Sequence, residues 1–138
     1  MEDRDRNTLA LFQLIEAGFN SNDIDRLDGV VSPDVVTHTY DPSVVDRETL
    51  KQALRDVRTA FPDAQAAIEE MAWSGDVIFR RWRVTGTHQG EFRGVPPTGR
   101  RLDVTGVDIE RFEDGLIVEH WSYTDGLEIL RQLGAELG

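Results

Sequence analysis

The sequence predicts an α+β domain in which helices cover one face of a curved antiparallel sheet. Helical spacings fill the first third of the chain and return between residues 46 and 61. Long β-rich runs then follow from residue 64 to residue 124, joined in pairs by tight turn signals. Helices first and a meander of strands after them is an α+β order. A sheet that bends over its helices makes a cone, and the inside of a cone is a pocket. The 138 residues fit one domain, 1–138, large enough to bury a sizeable core.

Each element has its own signal. From Arg4 to Asn20, the residues Leu9, Leu11, Phe12, Ile15, Ala17 and Phe19 mostly keep helical spacing. Asn20-Ser21-Asn22 breaks that helix, and Ser21 or Asn22 caps a short second one over Ile24, Leu27 and Val30, which Pro33 ends. VVTHTY, Val35 to Tyr40, is a short strand, and Asp41-Pro42-Ser43 is a turn. Asp46 caps the clearest helix, which lines Leu50, Ala53, Leu54, Val57 and Phe61 along one face and stops at Pro62.

Residues 64–73, AQAAIEEMAW, fit a helix or a strand by spacing alone. The tight turn Ser74-Gly75-Asp76 and the plain strand Val77 to Thr87 beyond it make them the first arm of a hairpin. Arg101 to Phe112 and Leu116 to Thr124 form a second hairpin around Glu113-Asp114-Gly115. Asp125 caps a last helix, Gly126 to Leu133, and Gly134 ends it. The predicted order is α-α-β-α-β-β-β-β-α.

Composition narrows the function classes. The net charge of -11 argues against a nucleic-acid partner and against an anionic membrane surface, since both need a basic face. No apolar run approaches the ~20 residues of a membrane helix. MEDRDRN leads straight into a helical pattern and does not read as a signal peptide, so a cytoplasmic location is expected. The chain has no cysteine, which removes thiolate nucleophiles and cysteine metal sites. The three histidines are far apart, with no HxH or HxxxH, and give no metal-ligand spacing. GVPPTG lacks the lysine and the following helix of a phosphate loop.

The second hairpin decides the chemistry. A two-residue loop, Asp114-Gly115, puts Glu110 opposite Glu119, an unfavourable pair, and Asp108 opposite Trp121. A three-residue loop puts Phe112 opposite Leu116, Glu110 opposite Val118, Asp108 opposite His120 and Gly106 opposite Ser122. The second register is preferred. It makes Asp108 and His120 a candidate proton-transfer dyad, with a paired surface Asp–His as the structural alternative. His38 is either a pocket residue or an edge histidine with a hydrogen-bond partner. His88 opens the loop GTHQGEFRGVPPTGRR and is expected at the pocket mouth or in solvent. Trp73, Trp82 and Trp121 suit a core, an interface or the wall of an aromatic ligand site.

TGTHQGEFRGVPPTGRR, DIERFEDGLIVEHW and a short terminal helix together resemble the SnoaL-like polyketide (ester) cyclases of the nuclear transport factor 2-like superfamily. SPDVVTHTYDP and FPDAQ fit the same resemblance, which covers nearly the whole chain. It implies a nuclear transport factor 2-like cone, a curved antiparallel sheet wrapped over the N-terminal helices, and a homodimer through the outer sheet face. It implies cofactor-free acid–base catalysis of an intramolecular aldol ring closure on a hydrophobic, carbonyl-bearing small molecule. Asp108 would be the base and His120 its partner. His38, Tyr40, Trp82, His88, Phe92, Trp121, Ser122 and Tyr123 would line the pocket, with Phe92 and Val95 gating it or meeting a neighbouring subunit. As the motifs align, the family's cyclases carry His where this chain has Asp108, and Asp where it has Ser122. A binding or dimerisation module, or a hydrolase or dehydratase on the same scaffold, are the alternatives.

Overall fold

The computed structural model describes residues 2–135. Helix α1 (Asp3–Ile15) runs on into a wider π turn, Glu16–Asn20, and a 3-10 turn follows at Ile24–Gly29. Strand β1 (Val31–His38) leads to helix α2 (Arg47–Ala60). Strands β2 (Gln65–Ser74), β3 (Val77–Thr87), β4 (Arg101–Glu113) and β5 (Leu116–Thr124) follow, and helix α3 (Gly126–Gln132) closes the order. Asp46 caps α2 by accepting from the Thr49 backbone N–H, while the Thr49 hydroxyl accepts from the Asp46 N–H. Asp125 caps α3 through the Glu128 N–H.

The five strands lie in the order β1-β5-β4-β3-β2. Neighbours from β2 to β5 pair antiparallel, but β1 pairs parallel with β5, so the sheet is mixed at that edge. β1 also starts earlier than its sequence pattern suggests and contains Pro33, which an edge strand tolerates because one side of it needs no ladder bond. β1 and β2 are the two edges, and α2 joins them across the inner face. Fourteen residues give a helix about 21 Å long, close to the ~19 Å spanned by four strand spacings.

The core has two parts. Leu11, Leu14, Leu27, Val31, Leu54, Ile78, Phe112 and Ile117 pack at one end of the inner face. Phe61, Trp82, Leu102, Val104, Ile129 and Leu133 pack at the other. A cavity of about 210 Å³ lies between the helices and the sheet, with residues of both clusters in its walls.

The second hairpin follows neither register expected from sequence alone. Asp114 (φ 51°) and Gly115 (φ 79°) form the two-residue turn, and Glu113 pairs with Leu116. A bulge at Val118 then shifts the ladder by one residue, so Arg111 pairs with Glu119, Glu110 with His120 and Asp108 with Ser122. The bulge removes the Glu110–Glu119 opposition that the plain two-residue register would impose.

Candidate active site

Three adjacent strands supply the polar part of the inner face. Arg80 and Trp82 come from β3, Asp108 and Glu110 from β4, and His120 from β5, and all five are buried. Alternation along each strand puts them on one face, amid the apolar core. Burial of so many polar groups requires that each be paired.

The pairing centres on Arg80. Its Nη2 donates to Asp108 Oδ2 at 2.8 Å and to Glu110 Oε1 at 2.7 Å. Its Nε donates to Glu110 Oε1 and Oε2 at 3.1 and 3.3 Å. Trp82 Nε1 donates to the other Asp108 oxygen, Oδ1, at 2.8 Å. His120 sits against both acids: Nδ1 is 3.3 Å from Glu110 Oε1 and Nε2 is 3.7 Å from Asp108 Oδ2. Asp108 and His120 therefore meet diagonally, one rung apart, and not as direct cross-strand partners. The direct partner of His120 is Glu110.

Burial alone would push Glu110 up, but the Arg80 charge and hydrogen bonds from His120 and Arg80 outweigh it and hold the carboxyl at about 2, against an ordinary value of 4.5. Burial alone would lower His120, but its hydrogen bond to Glu110 and the charges of Glu110 and Asp108 raise it above its ordinary 6.5. Arg80, and His120 in the protonated form that these acids favour, face Asp108 and Glu110 together.

These opposite shifts bound the pH range in which the site is most stable. The depressed acid gives stability that is complete above its unfolded value of 4.5 and is lost as pH falls toward 2. That loss is worth about 3 kcal/mol. The raised base gives stability that is complete below 6.5 and is lost as pH rises through its folded value. Urea midpoints measured from pH 3 to pH 9 are expected to peak between 4.5 and 6.5. A midpoint flat from 3 to 6 would contradict the Glu110 pairing.

Asp108, His120, Trp82 and Arg80 line the cavity, and Glu110 lies behind them with no exposed surface. Trp82 reaches Asp108 because its indole lies across Gly106, its partner on β4. A Cβ at Gly106 would come 2.2 Å from the ring, so a side chain there would displace the indole. Phe61, Val84, Leu102, Val104 and Ile129 make the walls largely apolar. Of the other expected pocket residues, Tyr40, Phe92 and Ser122 line this cavity.

The remaining four lie elsewhere. His38 is on the outer face, stacked on Trp121 at 5.0 Å between ring centroids, with Nε2 2.8 Å from Glu119 Oε2. Trp121 and the exposed Tyr123 share that outer face, because β5 alternates and His120 takes the inner position. His88 is at neither the mouth nor the surface. It is fully buried against Phe61, and its Nδ1 accepts from the Thr98 N–H at 3.2 Å, which pins the 88–100 loop.

Asp108, Glu110 and His120 each offer a metal-ligand atom, all within 4.8 Å of one another. The point where the two carboxylates converge is taken by the Arg80 guanidinium, so this donor set suits a cation already built into the chain. Sequence reasoning missed Arg80 and Glu110. Their signal was parity: Glu110 lies two residues from Asp108 on β4 and must share its face, and two inward carboxylates need an inward cation.

The sequence profile of the SnoaL-like polyketide cyclases matches residues 10–133. Aklanonic acid methyl ester cyclase DauD of Streptomyces sp. (strain C5) is 30% identical over 97 residues, which are 69% of this chain and 60% of DauD. The chain thus spans less than two thirds of that relative's length. Nogalonic acid methyl ester cyclase of Streptomyces nogalater is 29% identical over 126 residues, 86% of this chain and 90% of the relative. The crystal structure of wild-type IdmH from Streptomyces antibioticus superposes with a TM-score of 0.81 at 34% identity, covering 94% of this chain and 99% of IdmH. The chain belongs to the SnoaL-like polyketide cyclase family and has its nuclear transport factor 2-like cone fold.

Proposed function

We propose that this chain closes a ring in a hydrophobic, carbonyl-bearing polyketide-type molecule by cofactor-independent acid–base catalysis. The observation that carries the reading is the Asp108–His120 pair on the wall of a largely apolar cavity. A carbon acid needs a base held out of bulk water and a donor at the oxygen where charge develops. Asp108 is the base and His120, held charged by Glu110, is the donor.

In this reading Asp108 takes a proton from the carbon beside a carbonyl. The C–H electron pair moves into the carbonyl, and His120 stabilises the resulting enolate oxygen. The enolate carbon adds to a second carbonyl of the same molecule and forms the new C–C bond. The alkoxide left there recovers the proton from Asp108. Nothing is oxidised or reduced, and the product is an isomer of the substrate.

The departures from the family's motif still leave a carboxylate and an imidazole on this wall, in a changed arrangement. Where the cyclases carry Asp, this chain has Ser122, and the register partner of Ser122 is Asp108. The carboxylate is presented from the opposite strand at the same rung of the ladder, and the imidazole comes from His120, one rung away. One observation favours a second reading, a binding cone without turnover: both Asp108 oxygens already accept a hydrogen bond.

Incubation with polyketide methyl esters and no added cofactor tests the choice. Cyclised product supports the proposal, and esters bound but recovered unchanged leave the binding cone. The outer sheet face exposes Phe79, Val107 and Tyr123 together, and this supports a homodimer through that face. Sedimentation is expected to give twice the chain mass, and a monomer after Val107→Glu. A wild-type monomer at high concentration would rule the dimer out.

A further inference from the structure

The rim of the cavity carries a cation that no carboxylate pairs with among the described residues. In the 88–100 loop, Phe92 and Val95 exchange two backbone hydrogen bonds, 3.0 and 2.9 Å, around Arg93 and Gly94. Both central residues have positive φ, 50° and 79°. Such a turn suits Asn, Asp or Gly, and arginine there carries left-handed strain. The turn holds the Arg93 guanidinium 4.2 Å from the Tyr40 ring and 4.7 Å from the Phe92 ring, on the cavity lining. Partial burial lowers its pKa, and no carboxylate among the described residues opposes that shift. The acid at this rim, Asp41, already accepts from the Ser43 N–H and hydroxyl at 2.9 and 2.6 Å.

A strained, aromatic-clamped and unpaired guanidinium facing an apolar cavity is suited to an anionic group of a ligand. We propose that Arg93 is an anion-recognition residue, so that the preferred ligand is an apolar ring system bearing a carbonyl at one end and a carboxylate at the other. The carbonyl end faces Asp108 and His120, and the carboxylate is clamped at the rim. This rests on the proposed site for its orientation, but not on turnover.

The test uses acetylnaphthoic acid, which has a ketone at one end and a carboxylate at the other, and its neutral methyl ester. Calorimetry on the wild-type chain is expected to give at least about tenfold tighter binding of the acid, the size of one charge-assisted hydrogen bond. Arg93→Asn should erase that preference, so that the acid and its ester bind with equal affinity. It should also melt at the same temperature as wild type or higher, because asparagine accepts the left-handed turn. Equal binding of the two probes, or binding of neither, overturns the proposal. So does a variant that loses both probes together or melts lower, since Arg93 would then be structural. Asp108→Asn separates the two readings: acid preference that survives in it upholds the Arg93 subsite even where ring closure fails.

Discussion

Replacing Arg80 by methionine is expected to destabilise the fold by about 3–5 kcal/mol near neutral pH. Methionine fills most of the volume, so packing is a minor part of the loss. The larger part is electrostatic. Glu110 is fully buried, and Asp108 nearly so, and Arg80 donates to both. Without it, His120 alone faces two carboxylates. Burial then dominates Glu110 and raises its pKa above the unfolded value. A folded state that binds a proton more tightly than the unfolded one gains stability as pH falls. Urea unfolding of Arg80→Met should therefore give a higher midpoint at pH 5 than at pH 8. Adding Glu110→Leu should restore much of the loss at pH 8, because the stranded charge is gone. A loss below about 1 kcal/mol, or no recovery in the double variant, would contradict a network held by charge pairing.

Asp108→Asn is the second large effect. Asparagine keeps the shape, but its one oxygen accepts from only one of Trp82 and Arg80, which bond different oxygens of Asp108, so the fold should survive with stability lowered by about 1–3 kcal/mol. It cannot take up the substrate proton. Ring closure is expected to slow by about 10²–10⁴-fold, the usual weight of a positioned base, with little change in ester binding. Turnover within a few-fold of wild type would remove Asp108 from the base role and leave His120 as the group to test.

Much of the fold was legible because its signals are local. Asp46, Pro62 and the turn at Gly75 each fix an element boundary through capping or turn chemistry. The parallel pairing of β1 was not legible, since it depends on which sheet edge accepts a short strand after a long crossover. The site was legible in part. The meeting of Asp108 and His120 was anticipated, but through a three-residue loop that does not form. The Val118 bulge sets the true register, and a bulge leaves no mark that periodicity detects. His88 was unreadable for another reason. Its burial comes from the loop folding back on Phe61 and the end of α2, where the Gln89 and Gly90 N–H groups donate to the Ala60 carbonyl. His38 and Trp121 followed strand parity to the outer face, and the face itself was set by His120 pointing inward.

Ring closure in this cone depends on proton abstraction from carbon by Asp108. The most direct measurement is exchange of the α-protons of β-tetralone in deuterated water, followed by proton NMR with and without the protein. Exchange is expected to be accelerated by the wild-type chain, reduced to background in Asp108→Asn, and retained in Arg93→Asn. Exchange at the uncatalysed rate with the ketone demonstrably bound, or equal acceleration by wild type and Asp108→Asn, would contradict it.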